Sequence, residues 1–170
     1  MKWLGMCMVL VGCFSIGVWY SLMYARRIKN LLACKKAILI IRGEISYGRS
    51  PLPQALLQAS GRVSGSIRTF LEDVCEKMEQ GGARLDSIWQ TALEEQIGSW
   101  EMGREECMEL KELGETLGYL DVEMQLQTIQ LYLERLEGSI RELEREKSSR
   151  IRLYPILGTM CGALICIILI

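Results

Sequence analysis

The chain has 170 residues, 49% of them apolar, with 20 basic and 21 acidic side chains, a formal net charge of −1 and a mean hydropathy of +0.15. It has no histidine, and its seven cysteines include no CxxC pair. This excludes imidazole acid–base chemistry and suggests neither a zinc site nor a disulfide framework, and basic residues clustered beside the charge-free stretches rather than along a groove disfavour nucleic-acid binding.

Residues 3–25 carry no charge and are long enough for about 35 Å of helix, against a hydrocarbon core of roughly 30 Å. The run is too long for a secretory leader and lacks a small-residue cleavage site before the next charges. It closes on "VWYSLMY", whose aromatic side chains suit a membrane interface. A retained transmembrane helix is expected. Arg26, Arg27, Lys29, Lys35 and Lys36 follow it, and by the positive-inside rule they place the next region in the cytoplasm, where they can also meet anionic headgroups. Ile28, Leu31, Leu32, Ile38, Leu39 and Ile45 keep helical spacing, so this helix continues to near Gly48.

In "GRSPLPQALLQASG", Ser50 is suited to cap a second helix and Pro51 to open it, with Leu52, Ala55, Leu56 and Ala59 inward and Gly61 at the end. A third helix starts at Ser64 or Ser66, carries Ile67, Phe70, Leu71, Val74 and Met78, and stops at Gly81–Gly82. Leu85, Ile88, Trp89, Ala92 and Leu93 mark a fourth. A fifth spans roughly Trp100 to Leu117.

The stretch "ELGETLGYLDVEMQ" then places two glycines four residues apart. Gly118 is expected in a left-handed conformation ending the fifth helix, and Asp121 as the N-cap of the sixth. Gly114, one turn earlier, is expected to let another backbone approach closely. A phosphate loop is disfavoured: no strand precedes the glycines, no Gly-Lys-Ser/Thr follows, and the surroundings are acidic.

The sixth helix has the strongest periodicity. Val122, Leu126, Ile129, Leu133, Leu136, Ile140 and Leu143 form an a/d seam over three heptads. The seam serves either a dimeric coiled coil or packing inside an antiparallel bundle, and five shorter amphipathic helices in need of cover favour the bundle. Arg141, Arg145, Lys147, Arg150 and Arg152 then precede a second charge-free stretch, 153–170, about 27 Å of helix and a second expected span. The resulting division is an N-terminal transmembrane helix at 1–25, a cytoplasmic helical domain at 26–152 and a C-terminal transmembrane helix at 153–170.

Three segments, "EISYGRSPLPQAL", "LEDVCEKMEQGGARLDSIWQTAL" and "LKELGETLGYLDVEMQ", together with the flanking spans, resemble the stage III sporulation protein AB family of endospore-forming bacteria. More distantly the chain is similar to the cytoplasmic domain of the F-type platform proteins of type II secretion and type IV pilus systems, which usually carry two such domains and more spans. The resemblance implies an all-α fold, an antiparallel six-helix bundle flanked by two transmembrane helices, facing the mother-cell cytoplasm. It implies a place in the channel complex between mother cell and forespore, beside a secretion-type ATPase and other membrane components.

No catalytic constellation, cofactor site or metal cluster is expected, and neither a small-molecule substrate nor a nucleic acid. Residues 25–70 hold nine basic residues and one acid, whereas 101–146 hold thirteen acids and five basic residues. Part of that asymmetry is expected to pair internally, and the remaining acidic face can steer a basic partner surface. Glu105, Glu109, Glu115 and Trp100 are the candidate partner contacts, while Trp89 belongs to the core stripe. Glu44 and Glu115 are read as exposed carboxylates. The alternative to a platform or adaptor is a membrane-anchored dimeric coiled-coil scaffold with no ATPase partner.

Overall fold

The structure, a computed structural model, describes all residues except 1, 49, 97, 99, 119, 120 and 170, and describes no side chain at 2–7, 9–10, 13–14, 147–155, 157–159 or 161–169. Among the described residues there are six helices and no strand: α1 Lys2–Ser46, α2 Leu52–Arg62, α3 Ser66–Gln80, α4 Leu85–Gln96, α5 Arg104–Leu117 and α6 Val122–Leu169. The chain divides into two compact units, Lys29–Arg141 on the one hand and Met1–Ile28 with Glu142–Ile170 on the other.

The unit Lys29–Arg141 contains a core to which every helix contributes. Leu31, Ile38 and Ile41 of α1 are at most 2% exposed. Ala55, Leu56 and Ala59 of α2, Phe70, Leu71 and Val74 of α3, and Trp89, Ala92 and Leu93 of α4 are equally buried. Leu110, Leu113 and Leu117 come from α5, and Ile129, Leu133 and Leu136 from α6. Each large apolar side chain so placed contributes about 1.5–3 kcal/mol relative to exposure. α2 packs on α3, α3 on α4, and α4 on α5.

The α6 seam is consumed by this core. Ile129, Leu133, Leu136 and Ile140 are at most 5% exposed within one chain, while Val122, at the start of the seam, is 58% exposed. Neighbouring helices therefore cover the stripe that a dimeric coiled coil would need.

The punctuation differs in detail from the sequence reading. Ser50 caps no helix: Pro51 holds the N-cap position of α2, and the Ser50 hydroxyl instead donates to Glu44 Oε2 at 3.2 Å. Gly61 lies inside α2, which runs one residue further, and α5 begins at Arg104 rather than Trp100. At α3, Gly65 (φ 76°) precedes Ser66 and Gly81 (φ 71°) ends the helix, both left-handed positions that favour glycine. The expected internal charge pairing is present between α1 and α6, where Lys35 Nζ lies 3.0 Å from Glu137 Oε1.

In the other unit, the Tyr24 hydroxyl donates toward the Leu143 carbonyl at 3.1 Å and Glu146 Oε2 at 3.2 Å. Among the described residues no helix is long and apolar enough to cross a membrane. The charge-free stretch 153–170 falls almost wholly, and 3–25 in part, on side chains outside the described set.

Candidate partner-docking face

The corner that positions the acidic helix is built from α4, α5 and the start of α6. Gly114 is buried, and a Cβ there would meet the indole of Trp89. The close approach is therefore made by a side chain, not by the second backbone expected from the sequence. Trp89 Nε1 donates to the Leu110 carbonyl at 2.9 Å, and its ring stands edge-on to Phe70 at 4.8 Å between centroids.

Gly118 is also a correction. Its φ of −81° and ψ of −13° are right-handed helical, not left-handed. What requires a small residue is proximity: an added Cβ would lie 3.3 Å from Leu85 Cβ. The α5 terminus is instead tied down from α6, where Gln125 Nε2 donates to the Leu117 carbonyl at 2.7 Å. Asp121 acts as a side-chain cap, its Oδ1 accepting the Met124 N–H at 2.9 Å. Residues 119 and 120 of the "GYLD" corner lie outside the described set.

Trp100, read from the sequence as a candidate surface contact, is not on the surface. It is 6% exposed and stands edge-on to Phe70 at 5.4 Å between centroids, so it closes the core below α5. An aromatic residue outside the regular helical stripe looks free in sequence, but Phe70 recruits it.

The α5 carboxylates separate into distinct environments. Glu105 and Glu115 are exposed, Glu109 is half-buried and Glu106 is 3% exposed. Sequence reasoning missed Glu106, whose place on the buried side of α5, next to Cys107, is the available signal. Glu109 and Glu112, with Thr116 of α5 and Thr128, Leu131 and Arg135 of α6, line a groove of ≈ 160 Å³. Glu112 Oε2 lies 3.6 Å from Arg135 Nη1. Glu109 Oε2 is buried without a hydrogen-bond partner among the described residues. Burial pushes the Glu109 carboxyl above its ordinary range; Arg135 opposes the rise, and Glu105, Glu106 and Glu112 add to it.

Beneath the groove, Tyr132 and Cys34 form a buried contact, hydroxyl to sulfur 3.3 Å. Burial raises the Cys34 thiol to about 11 and the Tyr132 phenol well above its ordinary value, so both are neutral, inert groups. Cys34, Cys75 and Cys107 are all buried and in no disulfide. Glu44, read from the sequence as an exposed carboxylate, is instead half-buried and accepts a hydrogen bond from the Ser50 hydroxyl, whereas Glu115 is exposed as expected. Among the described residues no three His, Cys, Asp or Glu side chains are placed to hold a metal. The arrangement is an acidic stripe along α5 beside a shallow groove.

The family model described as Stage III sporulation protein AB matches residues 2–170. A curated relative named "Stage III sporulation protein AB", from Bacillus subtilis (strain 168), is 25% identical over 169 residues, which span 99% of each chain. A solved structure titled stage III sporulation protein AB superposes with a TM-score of 0.67 at 25% identity, covering 73% of this chain and 98% of that one.

Proposed function

Because the chain belongs to the stage III sporulation protein AB family, we propose that it is a membrane platform or adaptor of the secretion-like channel between mother cell and forespore, and that it contacts the channel's cytoplasmic ATPase. The family places the protein in sporulation. The finer role rests on the acidic α5 stripe, Glu105, Glu109, Glu112 and Glu115, borne on a helix whose inner side is fixed by Trp89 and Leu110. A carboxylate such as Glu109, with one oxygen buried and without a hydrogen bond, gains most when a cation arrives. In this role the helices form an antiparallel bundle of the secretion F-domain type, and the protein acts by binding rather than by catalysis.

The same role sets the location. Residues 3–25 and 153–170, free of charge, cross the mother-cell membrane, and the basic residues bordering them keep the domain between on the cytoplasmic side. A cysteine introduced at the exposed Met108 reports this: it reacts with an impermeant thiol reagent only after the cells are opened. Labelling in intact cells refutes the placement.

The test of ATPase contact is Glu105→Lys with Glu109→Gln in the full chain. The helical content stays unchanged, while binding to the complex's ATPase weakens and loses part of its salt dependence. Unchanged ATPase binding by this folded variant removes the acidic stripe as the docking face.

A further inference from the structure

α5 has a second stripe, one residue over from its acidic one. Arg104, Met108 and Lys111 are spaced i, i+4, i+7 and share a helix face, and the two cations are the only basic residues of α5. With Leu93, Glu94 and Met102 they border an open groove of ≈ 470 Å³ between α4 and α5. Met108 is 64% exposed there. Neither Arg104 nor Lys111 has an ion pair among the described residues. An apolar, methionine-containing floor between two cations suits an apolar side chain flanked by carboxylates.

The chain itself displays that complement. Glu123, Gln127, Leu131 and Glu134 follow one another along one face of α6. Leu131 is 56% exposed and Met124, beside the stripe, 53%. Leu131 borders the groove on the α6 side of α5, whereas Met108 borders the groove on its α4 side. The two patches are therefore different surfaces of the same unit.

We propose that a second copy of this chain lays its α6 stripe into the α4–α5 groove, with Leu131 against Met108 and the Glu123 and Glu134 carboxylates reaching Arg104 and Lys111. The contact is heterologous: each copy uses one patch of each kind, so association continues from copy to copy and closes as a ring or extends as a row. It uses neither the buried α6 seam nor Glu105 and Glu109, but Leu131 borders the groove that Glu109 and Glu112 also line, so ATPase docking there and self-association share an edge. Self-association is tested with the chain alone and does not rest on the ATPase reading.

The experiment is sedimentation of the full chain in mild detergent over a range of concentration and salt. The expected result is assembly that grows with concentration and weakens with salt. Arg104→Glu with Lys111→Glu reverses the groove, and Glu123→Lys with Glu134→Lys reverses the stripe. Each double variant alone loses association by about tenfold or more through like-charge contacts. Mixed one to one, the two variants present opposite charges at every junction and assemble again. A chain that is monomeric throughout, an assembly insensitive to both reversals, or a mixture that fails to reassemble overturns the proposal.

Discussion

The indole of Trp89 occupies the space in which residue 114 would carry a Cβ: its Cδ1, Cγ and Nε1 are the three atoms nearest that position. The same nitrogen donates to the carbonyl of Leu110, one turn earlier on α5. The missing side chain at Gly114 and the ring at Trp89 therefore form one packing unit that joins α4 to α5.

Gly114→Ala should destabilise the domain by about 1–3 kcal/mol, because the methyl displaces a ring held by a hydrogen bond. Trp89→Leu should cost more on its own, yet the double variant Trp89→Leu, Gly114→Ala should cost less than the two losses added. Denaturation of the four chains, followed by circular dichroism, measures this coupling. Strict additivity would show that the ring and the glycine do not depend on each other.

Leu136→Ala should cost about 2–5 kcal/mol, since it opens a cavity at a side chain that is 0% exposed. The loss should be the same at every chain concentration, because the covering helices belong to the same molecule. A loss that shrinks as concentration rises would restore the dimeric coiled coil.

At Glu109 the sign of a pH effect is set by burial. Its folded carboxyl titrates above the ordinary range. Its charge therefore costs nothing below the unfolded pKa, and the full cost is present above the folded one. Glu109→Gln should then be more stable than the parent at neutral pH, and the difference should fade as pH falls through the carboxylate range. Melting curves at pH 7 and pH 3.5 test it; a variant less stable at pH 7 would contradict it. A gain at neutral pH would also mean that the chain keeps this acid at some cost to its own fold, as binding residues often are.

Gly118 separates two reasons for a glycine. A left-handed residue would accept asparagine better than alanine, but the right-handed backbone here gives asparagine no such advantage. Gly118→Asn should be no more stable than Gly118→Ala. Both should show a modest loss from crowding Leu85, and thermal melting of the two ranks them directly. Asparagine clearly above alanine would place the residue in the left-handed region after all.

The sequence by itself determined the elements. Apolar spacing and punctuation marked the six helices, and most of the inward sides of α2, α3 and α4 were legible, Trp89 included, though Leu52, Met78 and Leu85 are only half-buried and the buried Ser60 and Cys75 were missed. Periodicity is a local property, so it survives without knowledge of neighbours. The resemblance carried by Gly114, Gly118, Asp121 and Gln125 was equally legible as a pattern, and Asp121 and Gln125 do act locally, one capping α6 and the other tying down the end of α5.

Only the tertiary structure decided what lies against what. Burial is a relation between segments far apart in the chain: Phe70 converts Trp100 from a surface aromatic into core. Trp89 makes Gly114 small for the sake of a ring, and Leu85 does the same for Gly118 without any left-handed turn. Neighbouring helices close the α6 seam inside one chain, and the packing of α4, α5 and α6 divides the residues of one charged helix between an acidic groove and a basic one. Helical spacing tells which residues share a face, but which face meets a neighbour is fixed by competition among all the apolar stripes for cover. That competition is settled only when the whole domain packs.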